Sequence, residues 1–306
     1  MSASSGAATS SHACVVYGFP DNEVPARALA DALGLMYQPI EVHVFPDGER
    51  RVRANAGAPQ GIVLRSLYQP NTKILELIFA ASALRDTGAA TLTLVAPYLA
   101  YMRQDKAFNP GEAVSQKVVG RLLAGSFDRF VSVDPHLHRT KALGEVFDGR
   151  PALNLTAAPA IAAHIKERNV SAQTLLIGPD EESRAWVSAV AAALNLQWVT
   201  ATKRRHGDRA VTITLPDEIE VRGRPVIVVD DVISSGGTLA TLARLLRARD
   251  AAPIEAYTTH ALFSAEDERA MFEAGIGAIF SCNGVSHRTN AIDLAPTLAE
   301  ALKQWL

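Results

Sequence analysis

Residues Pro225 to Leu246 read PVIVVDDVISSGGTLATLARLL, and this stretch decides the fold. Val226 to Val229 form a run of β-branched residues of the kind found in a parallel strand buried on both faces. Two carboxylates, Asp230 and Asp231, follow at the expected end of that strand. The next residues, Ser234-Ser235-Gly236-Gly237-Thr238, put hydroxyls and two glycines where a helix should begin. Leu239, Leu242, Leu245 and Leu246 supply that helix with an apolar face. The first N–H groups of a helix have no partners within it, so a small-residue turn there makes a site for a phosphate. Adjacent acids at the end of an apolar strand are costly unless something pairs with them. Ribose hydroxyls or a magnesium ion would do so, and the stretch reads as a cradle for a sugar phosphate. An ordinary strand-to-helix turn with serine caps would use the same residue types.

Short apolar runs and amphipathic segments alternate on either side. The runs are Val15 to Phe19, Ile62 to Leu67, Leu92 to Ala96, Phe130 to Val133, Leu175 to Ile177 and Ala256 to Thr259. Between them lie Val24 to Leu33, Ile74 to Leu84, Val114 to Leu123, Ala158 to Glu167 and Trp186 to Leu194, each with helical spacing of its apolar residues. This alternation predicts an α/β chain with largely parallel sheets. One set of elements ends near Asp148 and a second begins near Pro151; their similar order suggests an old duplication, without a close sequence repeat.

A chain of 306 residues with 48% hydrophobic content can bury two domain cores. The net charge of -2 and the lack of a basic stripe give no footing for nucleic acid. Cys14 and Cys282 have no metal-ligand spacing and suit a reducing compartment. Residues 1–12 are Ser and Ala rich, with neither a basic nor an apolar signal region, and are expected to be a disordered tail. No apolar stretch is long enough to cross a bilayer, so no membrane partner and a cytoplasmic location are expected.

Ligands of open parallel sheets bind beyond the carboxyl ends of the strands, which draws attention to the polar residues after each apolar run. PYLAYMRQDK, after Leu92 to Ala96, contains Arg103, Gln104, Asp105 and Lys106 in succession; as a charged cluster alone it would be a solvated loop. VSVDPHLH ends a strand at Asp134 and sets His136 two residues on, with His138 beyond, which makes His136 a candidate metal contact. LLIGPDEESRAW puts Asp180, Glu181 and Glu182 before a helix, where two of the acids could serve the helix dipole and Asp180 is the one to promote.

VHVFPDGERRVR sets Phe45 before a Pro-Asp-Gly turn, a strong hairpin signal, with Asp47, Gly48 and Glu49 at its tip. An aromatic ring beside two acceptors could also hold a purine. ATKRRHGDRAVTI places Lys203, Arg204, Arg205, His206 and Arg209 between two expected strands. Such a run is ordinarily a solvated hairpin, but cations facing a triphosphate would stabilise the charge that shifts in phosphoryl transfer.

These pieces, FPDGE, PYLAYMRQDK, VDPH, GPDEESRAW, KRR and VVDDVISSGGT, occur in an order that resembles the ribose-phosphate pyrophosphokinases over about Cys14 to Phe263. FNPGEAVS and GPDE look most like the archaeal-type branch. The resemblance implies two similar phosphoribosyltransferase-like domains, each a largely parallel sheet flanked by helices, at 13–149 and 150–292. A C-terminal helix at 293–306 would pack back on the first domain. It further implies ATP contacts from Phe45, Asp47, Gly48, Glu49, Arg103 and Gln104, and Mg2+ held by His136 and Asp180. Lys203 and Arg205 would be the basic pair of a catalytic loop. Ribose 5-phosphate would lie against Arg205, Asp230, Asp231 and Ser234 through Thr238. The hairpin of this family reaches a neighbouring subunit's ATP, so a homodimer or higher homo-oligomer is expected.

The sequence departs from the family pattern at Ser234, where many relatives carry Asp, and at Pro135, which replaces an aliphatic residue as in the archaeal-type branch. SCNGVSHRTN, Ser281 to Asn290, stands where most relatives have a short Thr-rich segment and puts the C-terminal packing in question. Two other functions share parts of the pattern. A phosphoribosyltransferase would have the same cradle without an ATP hairpin, and a non-catalytic regulatory relative would have lost loop cations or metal ligands.

Overall fold

A computed structural model describes residues 13–306 apart from Ala56, His138, residues 207–209 and Asp217, and omits the side chains of residues 204–206, 210 and 211. The expected tail at 1–12 and the side chain of Arg205 therefore lie outside the described residues. The chain forms two compact units. The first comprises residues up to Val131, Leu137–Leu153 and Leu298–Leu306; the second comprises Ser132–His136 and Asn154–Thr297.

The first unit is built from β1 (Cys14–Gly18), α1 (Glu23–Leu33), β2 (Met36–Val44), β3 (Arg50–Ala54), β4 (Gln60–Leu64), α2 (Pro70–Asp86), β5 (Thr91–Val95), α3 (Ser115–Ala124), β6 (Arg129–Val133), the short α4 (Leu143–Val146) and β7 (Ala152–Leu155). Its sheet has the order β3-β2-β1-β4-β5-β6-β7. The pairs β2/β1, β1/β4, β4/β5 and β5/β6 are parallel, and only the β2–β3 hairpin is antiparallel among the registers described.

The second unit contains α5 (Ala158–Glu167), β8 (Leu175–Gly178), α6 (Arg184–Leu194), β9 (Gln197–Thr200), β10 (Thr202–His206), β11 (Ala210–Thr214), β12 (Val226–Ile233), α7 (Gly237–Ala248), β13 (Ile254–Ala261), α8 (Ala265–Glu273), β14 (Ala278–Cys282) and β15 (Asn290–Ile292). Its main sheet runs β15-β14-β13-β12-β8-β9 and is parallel throughout, while β10 and β11 form a separate antiparallel hairpin.

Read from the other edge, the second sheet repeats the first. In each, the second strand in chain order lies beside the first, a hairpin excursion follows, and four further strands extend the sheet from the other side of the first. The hairpins β2–β3 and β10–β11 occupy equivalent places in the two units, which is the trace an internal duplication would leave.

Each sheet is buried because its central strands are apolar on both faces. Val226 to Val229 are between 0% and 2% exposed, and Val226 and Val228 share a core with Leu239, Leu242, Leu246 and Met271. Leu245, expected on the same helix face, is only partly buried. The expected strand 226–229 continues to Ile233, because β13 pairs with it as far as Ala261. The last helix is shorter than the expected 293–306: α9 (Ala295–Leu302) gives way to a 3-10 turn at Lys303–Trp305. Arg129 donates to the Trp305 carbonyl at 3.1 Å, within the first unit.

The unusual segment Ser281 to Asn290 is tied into the second unit by its own polar groups. Asn290 Nδ2 donates to the Cys282 carbonyl at 2.8 Å, and Ser281 and Thr289 share a hydroxyl hydrogen bond of 2.8 Å. His287 Nε2 donates to the Phe263 carbonyl at 3.1 Å, while Nδ1 accepts from the Thr289 hydroxyl at 2.8 Å. Arg288 reaches Glu268 at 2.6 Å.

Candidate active site

The two acids that close the apolar run of β12 lie within the strand. Asp231 turns inward and is 5% exposed, whereas Asp230 is only partly buried. The partner that an inward carboxylate needs is His136: its Nδ1 donates to Asp231 Oδ2 at 2.8 Å. The other oxygen, Oδ1, accepts from the Val232 N–H at 2.8 Å. Burial alone would raise the Asp231 carboxyl, but the hydrogen bond and charge of His136, helped by His260, hold it below the ordinary carboxylate value. For Asp230, burial and then the charges of Asp231 and Asp180 push the carboxyl well above the usual range.

His136 belongs to the second unit although it follows β6. Its segment leaves the strand through Asp134, whose φ of 41° is left-handed and turns the chain toward β12.

Asp180 follows β8 and caps a 3-10 turn, its Oδ1 accepting from the Glu182 N–H at 3.1 Å. Its Oδ2 is 3.5 Å from Lys203 Nζ, which comes from β10. Glu181 beside it has a separate duty: it accepts from Arg184 at 2.8 Å and from the Thr200 hydroxyl at 3.2 Å. Lys203, Asp180, Asp230, Asp231 and His136 thus form one charge cluster in the second unit, linked pair by pair. Arg205 lies two residues further along β10, opposite Val211.

The charge balance of these residues favours a divalent cation. Burial and then the charges of Asp231 and Asp180 raise the Asp230 carboxyl above its ordinary range, so a cation there would be welcome. The described residues contain no group of three or more His, Cys, Asp or Glu arranged to hold a metal by themselves. Mg2+ ordinarily keeps several waters and takes much of its coordination from substrate phosphates. With Nδ1 of His136 donating to Asp231, Nε2 is the nitrogen that would meet the ion.

The cradle itself is the turn between β12 and α7. Ser234, Ser235 and Gly237 are exposed, Thr238 is partly so, and Gly236 is buried. Gly236 caps α7 with φ +67°, and a Cβ there would fall 2.4 Å from Met271 Sδ of α8. Glycine is required on both counts. The turn leaves the first N–H groups of a helix of 12 residues beside exposed hydroxyls, a setting for an anion.

The expected nucleotide residues lie in the first unit. Phe45 is 38% exposed at the hairpin tip, edge-on to His43 with ring centroids 4.8 Å apart. The tip closes through Phe45 N–H to Glu49 O and Gly48 N–H to Phe45 O, both 2.9 Å, with Gly48 at φ +93°. Asp47 Oδ1 accepts from the Glu49 N–H at 3.1 Å. Arg103 is exposed in the loop after β5, and Gln104 Oε1 accepts from Ser115 at 2.6 Å. Asp105, from the same charged run, is a tether: it accepts from the Arg139 side chain at 2.8 Å and its N–H at 3.2 Å.

Sequence reasoning passed over Thr258, Thr259 and His260, all buried in the second unit. Their signal was the polar triplet in IEAYTTHA, out of place in a strand whose other residues are mostly apolar.

Comparison with known proteins follows the same division. The profile of the N-terminal domain of ribose phosphate pyrophosphokinase matches residues 14–126, and that of the phosphoribosyl transferase domain matches residues 152–287. The chain is 33% identical over 279 residues to a ribose-phosphate pyrophosphokinase of Methanopyrus kandleri, covering 90% of this chain and 94% of that protein. It is 34% identical over 281 residues to ribose-phosphate pyrophosphokinase 2 of Archaeoglobus fulgidus, covering 92% and 97%. In fold it is similar to the crystal structure of phosphoribosylpyrophosphate synthetase from Mycobacterium smegmatis, with a TM-score of 0.82, 24% identity and coverage of 96% and 99%. With both domain profiles matched in order and archaeal relatives aligned along nearly their whole length, the chain belongs to the ribose-phosphate pyrophosphokinase family.

Proposed function

We propose that this protein transfers the diphosphoryl group of Mg-ATP to the 1-hydroxyl of ribose 5-phosphate, giving 5-phosphoribosyl 1-diphosphate and AMP. The observation that carries the reading is the charge cluster Lys203, Asp180, Asp230, Asp231 and His136 beside the glycine-serine turn. A phosphate at Ser234 to Thr238 would leave the sugar ring facing Asp230, whose raised affinity for a proton makes it a good acceptor for a ribose hydroxyl.

In the reaction a bond forms between the anomeric oxygen and the β-phosphorus, and the bond from that phosphorus to the α-phosphate oxygen breaks. The hydroxyl proton is lost and AMP leaves with the electron pair. The chain's contribution is chiefly positioning and charge neutralisation. Lys203, held at Asp180 in the structure, and Arg205 would close on the phosphate oxygens as charge moves toward AMP. Mg2+, when bound at His136 and Asp180, would supply charge compensation to the bridging phosphates. Phe45, Asp47, Gly48, Glu49, Arg103 and Gln104 are assigned to the nucleotide. The first unit then serves ATP and subunit contacts, and the second serves ribose 5-phosphate and the catalytic loop.

A homodimer or larger homo-oligomer is part of this reading, as is a cytoplasmic location. Both cysteines are free and buried, and no helix among the described residues is long and apolar enough to cross a membrane. Purified protein supplied with Mg2+, ATP and ribose 5-phosphate should release AMP in a coupled assay. Release of diphosphate from phosphoribosyl diphosphate only when a nucleobase is added would instead identify a phosphoribosyltransferase.

A further inference from the structure

Three consecutive side chains of β13 hold the chain ends that bring His136 and Asp231 together. Thr258 donates to the Asp231 carbonyl at 3.2 Å, Thr259 donates to Asp134 Oδ2 at 2.8 Å, and His260 Nε2 donates to the Val133 carbonyl at 2.8 Å. All three are at most 1% exposed. Asp134 Oδ2 also accepts from the Ala157 N–H at 2.9 Å, and the Asp134 N–H donates to Leu155 O at 2.8 Å. A buried carboxylate in a left-handed conformation is costly twice over, and this set of donors is what retains it. Its effect is to fix the chain at Asp134, two residues before His136, against β13, the strand that pairs with β12.

Asp231 completes the arrangement. Both of its oxygens are engaged inside the protein, one by the imidazole and one by the Val232 N–H, and its side chain is 7% exposed. It is poorly disposed to accept from a sugar. A carboxylate on one ring nitrogen sets the tautomer and orientation of the ring, leaving the other nitrogen as the electron-pair donor.

We propose that Asp231, with Thr259 acting through Asp134, is a positioning residue that fixes the His136 imidazole for a divalent cation, while Asp230 alone of the acidic pair meets the sugar. This rests on the reading of the site as one for Mg-ATP and ribose 5-phosphate. Its geometric basis is that both Asp231 oxygens are held within the protein while Asp230 is only partly buried: one sequence motif, DD, carries two separate roles.

The test uses the full chain and Mn2+, alone and together with α,β-methylene-ATP, followed by electron paramagnetic resonance. Asp231→Asn should weaken Mn2+ binding about 10–100-fold, with the KM for ribose 5-phosphate changed by less than about threefold (under ~0.7 kcal/mol). Thr259→Val should weaken Mn2+ binding in the same direction, and Thr259→Ser should restore it. Mn2+ binding unchanged in Asp231→Asn, with a raised KM for ribose 5-phosphate, would make Asp231 a sugar contact and overturn the proposal. Should Asp231→Asn fail to fold, the Thr259 pair decides: Thr259→Val binding Mn2+ as tightly as the unaltered protein overturns it. If Mn2+ binding responds as expected but no AMP is ever released from ATP, the positioning role stands and the proposed reaction falls.

Discussion

Lys203 Nζ lies 3.5 Å from Asp180 Oδ2, so the cation of the β10–β11 hairpin rests on a carboxylate of the neighbouring strand end. Both side chains are about one-fifth exposed, at 19% and 20%, which places the pair at the edge of solvent where it can be exchanged for a phosphate contact. Removing the cation should therefore spare the fold and remove charge compensation in the transition state. Lys203→Ala is expected to lower kcat about 100-fold or more, with melting temperature and ribose 5-phosphate binding nearly unchanged. Turnover equal to that of the unaltered protein would remove Lys203 from the chemistry.

Gly236 and Gly237 are neighbours in one turn but differ in what they require. Gly236 has φ +67° and no room beside Met271, while a Cβ on Gly237 would meet nothing nearer than Ser235 Oγ at 3.8 Å. A left-handed conformation costs an ordinary residue about 1–2 kcal/mol, before any clash is counted. Gly236→Ala should accordingly melt several degrees below Gly237→Ala and bind ribose 5-phosphate more weakly. Equal melting curves for the two variants would show that the turn relaxes at no cost.

Phe45 presents its ring at the hairpin tip with 38% of its surface exposed, an uncommon place for a large aromatic side chain in a turn. Stacking of a base on an aromatic ring contributes about 1–3 kcal/mol. Phe45→Ala should raise the KM for ATP roughly tenfold or more and leave the KM for ribose 5-phosphate alone. Steady-state kinetics with each substrate varied in turn will separate these.

His287 fixes the segment after β14 through a neutral ring, since Nε2 must carry the proton given to Phe263 O while Nδ1 accepts from Thr289. Burial, opposed in part by the Phe263 bond, lowers its affinity for a proton below the ordinary value of 6.5. A group whose folded pKa is depressed contributes stability that is present above the unfolded pKa and lost as pH falls through the folded one. The unaltered protein should lose stability below about pH 6.5 faster than His287→Gln, by urea unfolding at each pH. Parallel pH profiles would mean that the ring is protonated in place without consequence.

The centre of the second unit was legible because VIVVDDVISSGGT combines a doubly buried strand, a glycine that must be left-handed and a helix start. The alternation of runs likewise foretold parallel sheets. Short edge strands escaped notice: β7, β9 and β15 have four, four and three residues and carry little hydrophobic signal. So did α8, whose charged sequence AEDERAMFE buries only Met271. The hydrogen bond between His136 and Asp231 joins residues 95 apart in sequence, and no local spacing rule could reveal it. The same holds for Thr259 and Asp134, separated by 125 positions. What sequence supplied was the need: an inward acid wanted a partner, and the fold shows which residue meets that need.

The claim on which the rest depends is that both outer phosphates of ATP move together to the sugar. Phosphorus NMR of the full chain with Mg2+, ATP and ribose 5-phosphate tests it directly. The account predicts that AMP and a diphosphoryl group on the anomeric carbon appear in equal amounts, with no ADP. Formation of ADP with a singly phosphorylated sugar product, or no change in either substrate, would contradict it.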